Sequence, residues 1–245
     1  MFELTLCLSF ERQKFISEFY KEISPSIKAG AGIIIKYNCA RKSYLSLAVS
    51  DEKKEFIKSK VLDFVTKVIE MDFKYNYFKE KIVIDSRNNL TDAFFYSISS
   101  FDEEVDREII LQNLDFSGEI VIESLFYFKL QPLILRWHKT AEIINQNFIM
   151  KSDQSMVEIL KYLCAVSDNN SVLVDLSFSE KQIELKNFLM RKKFKMNIDG
   201  ISKMYQEIIK LNPIKINIKD KEGFGESYKI TTMLLKVFGD KIYFI

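Results

Sequence analysis

Between residues 2 and 69 the chain changes its hydrophobic period several times, and this constrains its fold more than any other feature. Phe2, Leu4, Leu6 and Leu8 alternate with Glu3, Thr5 and Cys7, the period-two pattern of a half-buried strand. Phe15, Ile16, Phe19, Tyr20 and Ile23 follow at helical spacing, and Pro25 is expected to end that helix. Gly30 and Gly32 turn the chain into Ile33-Ile34-Ile35, a second strand. Asn38 to Arg41 form a further turn, and Tyr44, Leu45, Leu47 and Val49 then make a hairpin partner. Ser50-Asp51-Glu52 reads as an N-cap with an acidic first turn. Behind it, Phe56, Ile57, Val61, Phe64, Val65, Val68 and Ile69 give the clearest amphipathic helix in the sequence. The order β-α-β-β-α predicts a small antiparallel sheet with helices covering one face.

The remainder is mainly helical at first. Ser86 to Asn89 is a polar loop, and Ser100-Phe101-Asp102-Glu103 fits a capping box. Residues 118–149 read as helix, with Pro132 breaking or kinking it near Leu130. The most apolar stretch, 118–137, contains Glu119, Glu123, Lys129 and Arg136, so it is expected to be a buried helix and not a membrane span. Another helix is expected near 154–166, then a turn at Asp168 to Ser171 and a strand from Val172. Asp199-Gly200 precedes a helix with Ile201, Met204, Tyr205, Ile208 and Ile209 inward, and Pro213 stops it. Ile214, Ile216 and Ile218 alternate with Lys215, Asn217 and Lys219 as a strand with one wet face. A helix over 226–238 ends at Gly239, and Ile242 to Ile245 closes the chain as a strand. The fold class is α+β, with an N-terminal β-α-β-β-α lobe over 1–90. The lobe over 91–245 is a helical segment followed by a small β/α sheet.

Composition narrows the function classes. A hydrophobic content of 47% with a net charge of +2 excludes disorder as the main state. The same charge gives no chain-wide electrostatic footprint for nucleic acid, and leaves only a local patch to consider. Cys7, Cys39 and Cys164 are odd in number and widely spaced, so they define neither a disulfide framework nor a CxxC metal site. That usage suits a reducing, cytoplasmic compartment. The N-terminus lacks the basic region and cleavage site of a secretory signal. No cofactor motif is present.

Each candidate for chemistry has a plain structural reading beside it. His138 is the only histidine, so any Ser/His or Cys/His pair would have to use it. It follows Trp137 on an apolar helix, where a packed or hydrogen-bonded role is expected. One histidine also excludes a zinc site built mainly from imidazoles. Gly223-Phe224-Gly225 before a helix could hold an anion, but neither the Walker nor the dinucleotide pattern is completed, and a strand-to-helix loop is the expected reading. The acids Asp102, Glu103, Glu104, Asp106 and Glu108 lack the glycine and alternating ligands of a calcium loop and suit a solvated, dipole-matched helix start. The run Arg191, Lys192, Lys193 and Lys195, with Phe194 and Tyr205 near it, has the basic and aromatic character that binds single-stranded nucleic acid, against the alternative of a solvated turn. No pair among the 34 acids can be singled out for acid–base work, and no catalytic residue is nominated.

Several segments of the C-terminal half match a known pattern. Glu123-Ser124-Leu125-Phe126-Tyr127-Phe128-Lys129-Leu130 is similar to a Glu-Gly-Phe-x-x-Phe-Arg-Leu motif, and Ile159-Leu160-Lys161-Tyr162-Leu163 to Leu-Leu-Arg-Tyr-Phe. Ile208 to Ile218 matches a helix that ends at proline and enters an Ile-rich strand, and Phe238-Gly239-Asp240-Lys241-Ile242 matches Phe-x-x-Arg-Val. In order and spacing these resemble the YtxC-like sporulation protein family of spore-forming Firmicutes over residues 118–245. The chain departs from it at Ser124 (Gly), Leu125 (Phe), Lys129 (Arg) and Ser167 (Gln). The resemblance implies a cytoplasmic protein connected with sporulation and carries no catalytic residues with it. The expected function is a non-enzymatic protein-interaction module with an unidentified protein partner. Lys129 and the Arg191, Lys192, Lys193, Lys195 run are its contact candidates. The alternatives are a hydrolase or transferase with a carboxylate-lined cleft, and a nucleic-acid-binding protein using 191–195.

Overall fold

In the computed structural model, period-two and helical patterns alternate along the chain as an α+β fold. It describes residues 1–245 except 31, 85–88, 148–152, 167–169, 180–181, 188–191, 198–200 and 221–225, and describes the backbone alone of 89–90, 93, 147, 153, 166, 170–171, 192–197, 201–203, 206, 210, 220 and 226–229. The chain forms two compact units, each discontinuous in sequence. Unit 1 is Met1–Tyr77 with Asp102–Thr140, and unit 2 is Phe78–Phe101 with Ala141–Ile245. The sequence reading, by comparison, places one boundary at 90/91.

Unit 1 is built on strands β1 (Phe2–Ser9), β2 (Ile33–Cys39), β3 (Lys42–Val49) and β4 (Gly118–Val121), in the order β2-β3-β1-β4. β1 pairs antiparallel with β3, Phe2 opposite Val49, and parallel with β4, Leu4 opposite Gly118. One face of the sheet presents Leu4, Leu6, Leu8, Ile34, Leu45, Leu47 and Ile120, all buried. Helices α1 (Gln13–Lys28) and α2 (Lys54–Val68) supply Ile16, Phe19, Ile23, Val61, Phe64 and Val65 to the same core, and Phe19 stacks on Phe64 at 4.4 Å. α1 runs one turn past Pro25, correcting the expected end there. Burial of Ser24 and Ile27 continues the inward stripe, and Pro25 still accepts the Ala29 N–H. Arg41 and Ala40 join β2 to β3 with φ of 65° and 46°, the signature of a type I′ hairpin.

Past α2 the chain winds through a π-helical turn, Ile69–Lys74, into α3 (Tyr75–Lys81). After α4 (Asn89–Ser100) and α5 (Glu103–Asn113) comes β4. The expected capping box is not formed. Ser100 is the last residue of α4 and its hydroxyl donates to Tyr96 O, while Asp102 takes a left-handed φ of 62° and its carboxylate accepts from Arg136. The helix expected over 118–137 is four structures in series: β4, the turn α6 (Ile122–Ser124), a π-helical turn Leu125–Lys129, and α7 (Gln131–Asn147). Gly118, at φ 82°, lets the strand begin, and Pro132 sits in the first turn of α7, where a missing N–H costs little.

Unit 2 carries α8 (Asp153–Val166), β5 (Asn170–Ser179), β6 (Gln182–Asn187), β7 (Lys192–Asn197), α9 (Ile201–Leu211), β8 (Pro213–Asp220), α10 (Glu226–Phe238) and β9 (Ile242–Phe244). The strand order is β7-β6-β5-β8-β9. β6 is antiparallel to β5 and β7, and β5, β8 and β9 are mutually parallel. The chain steps in one direction across this sheet from β7 through α9 to β8, and from β8 through α10 to β9. Right-handed crossovers therefore put both helices on one face. That face is apolar: Val174, Leu176, Ile183, Leu185, Ile216 and Ile218 are buried. Asn212 caps α9 at φ 38°, and its side chain donates to Cys164 O at 2.8 Å. The basic run, weighed as a solvated turn, continues as strand β7 from Lys192. The turn at 168, the helix cap at 199–200 and the Gly223-Phe224-Gly225 loop lie outside the described residues. Among the described residues no helix is long and apolar enough to cross a membrane.

Candidate functional site

Two π-helical turns, Ile69–Lys74 and Leu125–Lys129, pack on each other in unit 1. The extra residue in such a turn redirects side chains, and π-turns recur at functional sites for that reason. Phe73 and Phe126 lie 4.4 Å apart, and Phe126 stacks on Trp137 at 5.7 Å. Beneath them Lys74 Nζ contacts Asp106 Oδ2 at 2.7 Å with both groups buried, and Trp137 Nε1 donates to the same oxygen at 3.2 Å. Asp106 is thus not part of a solvated helix start. Its charge is matched inside the unit, which is how a buried ion survives.

Just past β1, Arg12 ties the first π-turn to α6, which leads into the second. Its Nε donates to Asp72, its Nη1 lies 3.6 Å from Glu123, and its guanidinium sits 4.6 Å above the Phe73 ring. Glu123 also accepts the Ser9 N–H at 2.8 Å. With Leu125 and Phe126 held inward, the wider turn closes on Leu130 N–H to Leu125 O, and Tyr127 and Phe128 are left outside. Phe128 is 81% exposed.

Beside Phe128 a cavity of about 280 Å³ opens between the end of α5, β4 and the π-turn. Leu114, Ile120 and Leu125 form its apolar wall, and Asp115, Glu119 and Lys129 stand around it. β4 is the outer strand of its sheet, so one edge of the cavity is a strand edge. The Ser117 hydroxyl and backbone N–H, with Lys129 near, hold Asp115 below the usual carboxylate range. The site can therefore offer an apolar recess, a strand edge, an ammonium group and the ionised Asp115 carboxylate.

Of the sequence candidates, Lys129 lies at this cavity and is exposed. Lys192, Lys193 and Lys195 lie in unit 2 on the edge strand β7, with Lys193 opposite Lys186 and Lys195 opposite Glu184, and Arg191 is outside the described residues. His138 is exposed on α7, its Nδ1 3.3 Å from the Tyr77 hydroxyl. The three cysteines are free, Cys39 exposed and Cys7 and Cys164 buried. Sequence reasoning gave Phe128 no role beside Lys129, passed over Arg12, and read Asp106 as solvated; nothing in the spacing of Lys74 and Asp106, 32 positions apart, signals an ion pair. Comparison with protein-family models, with curated proteins and with solved structures finds no match.

Proposed function

We propose that this chain is a protein-interaction module that adds an extended segment of a partner protein to the free edge of β4 and takes one of its apolar side chains into the cavity beside Phe128. The observation that carries this is the exposure of Phe128, an aromatic ring held outside by a turn whose neighbours are locked inward. Large apolar groups left in water beside an apolar recess favour association, and an edge strand offers main-chain hydrogen bonds to an extended peptide. Lys129 favours an acidic partner residue at the rim. Asp115, held below the usual carboxylate range and so ionised, supports binding over general-acid catalysis, which needs a carboxyl pushed the other way. The resemblance to YtxC-like proteins makes a cytoplasmic partner in sporulating cells the natural one to seek.

The test is affinity purification of the tagged protein from sporulating cells at low and high salt, beside Phe128→Ala and Lys129→Glu. A stoichiometric protein that survives high salt, is lost with Phe128→Ala, and rebinds the purified wild type is the expected result. A partner retained equally by both variants would contradict the proposal.

A further inference from the structure

With helices on one face, the sheet of unit 2 presents its other face without a helix among the described residues. That face is mainly polar where the first is apolar, with Leu173 exposed beside Lys215. Reading across the strands at matched register, Lys193 stands beside Lys186, then Asp175, Asn217 and Tyr243. The next row is Lys195, Glu184, Ser177 and Lys219. At the usual strand spacing the five strands span roughly 19 Å. Asp175 is buried and compensated within the face: Asn217 Nδ2 donates to Oδ1 at 2.8 Å and Lys219 Nζ lies 3.0 Å from Oδ2. Lys215 rests 4.4 Å above the ring of Tyr243, which is half exposed. Five lysines thus stand on or at the register of this face against two carboxylates, and unit 2 has a formal charge of +3 where unit 1 has −1.

We infer that this open face binds single-stranded nucleic acid, Lys186, Lys215 and Lys219 taking phosphates and Tyr243 stacking a base. A basic, flat surface with an aromatic ring suits an unpaired strand. A duplex is read by an element that enters a groove, which a flat sheet face does not provide. Beyond the interaction proposed for unit 1, this gives unit 2 a separate ligand.

The experiment is fluorescence anisotropy of the full chain with a labelled oligothymidylate of about 20 nucleotides, in parallel with an oligouridylate and a duplex of equal length. If three phosphates are engaged, affinity should fall about 20-fold between about 50 and 200 mM salt. Lys186→Glu with Lys215→Glu should weaken binding at least tenfold, and Tyr243→Leu about fivefold or more, with unchanged circular dichroism. Independently of any variant, ultraviolet crosslinking of a bromouracil-substituted oligonucleotide to the wild type should map to Tyr243. No binding below about 100 µM at low salt, the weak end of non-specific affinity, would overturn the inference. So would affinity indifferent to the paired lysine reversal, or binding of anionic lipid vesicles with none of the oligonucleotides.

Discussion

Asp106 shows how much one residue decides in unit 1. Its carboxylate is shared by Lys74 and Trp137 in the interior, and loss of one partner of a buried ion pair costs more than the pair contributes net. Asp106→Asn should therefore destabilise the protein by about 3 kcal/mol in urea titration. Replacing both ions with apolar residues, Asp106→Leu with Lys74→Met, should recover most of that loss. Cys164 sets a pH dependence. Burial pushes its thiol from 9.0 up to about 11. The native state then holds its proton more tightly than the unfolded chain, so stability is full below about pH 9 and falls as pH rises toward 11, by about 2 to 3 kcal/mol. The part of that slope due to Cys164 should vanish in Cys164→Ala. Alkylation at pH 8 should label the exposed Cys39 well before Cys164.

At the scale of elements, the parts legible in sequence are those whose period runs unbroken. β1, α2, α8, β8 and α10 fall where their apolar spacing puts them, because each turns one continuous apolar face to a core. The stretch 118–137 was not legible. It is apolar almost throughout, and four residues of strand followed by a π-turn have no period of their own, so it reads as one helix. Lys129 was visible as a charge within an apolar segment, but Phe128 reads as core until the π-turn is known to set it outward. The strands β6 and β7 were missed because each is six residues long with only two apolar residues, Ile183 and Leu185 or Phe194 and Met196, too few repeats to establish a period. One element carries correctable strain. The β2–β3 hairpin holds Ala40 and Arg41 at positive φ, where residues with a Cβ are disfavoured by about 1 kcal/mol or more each. Ala40→Asn with Arg41→Gly should raise stability by about 1 to 2 kcal/mol, read from the denaturant midpoint.

Across the whole molecule, the chain returns to unit 1 after entering unit 2, and that return brings β4, α5 and both sides of the proposed site. A fragment covering 1–90 lacks β4, Asp106 and Phe126. It should show no cooperative unfolding transition by circular dichroism. A fragment that unfolds with the cooperativity of a native domain would contradict the division. The two proposed surfaces belong to separate units, so variants at Phe128 and at Lys186 with Lys215 should act independently, as sites without shared partners do.

The central claim is that a partner strand adds to β4 beside Phe128. Amide hydrogen exchange of the full chain, with and without the purified partner, tests it most directly. Slowed exchange confined to Gly118–Val121 and the Leu125–Lys129 turn, and absent in Phe128→Ala, is the result predicted. A tight complex that leaves those amides unchanged and protects another surface would contradict it.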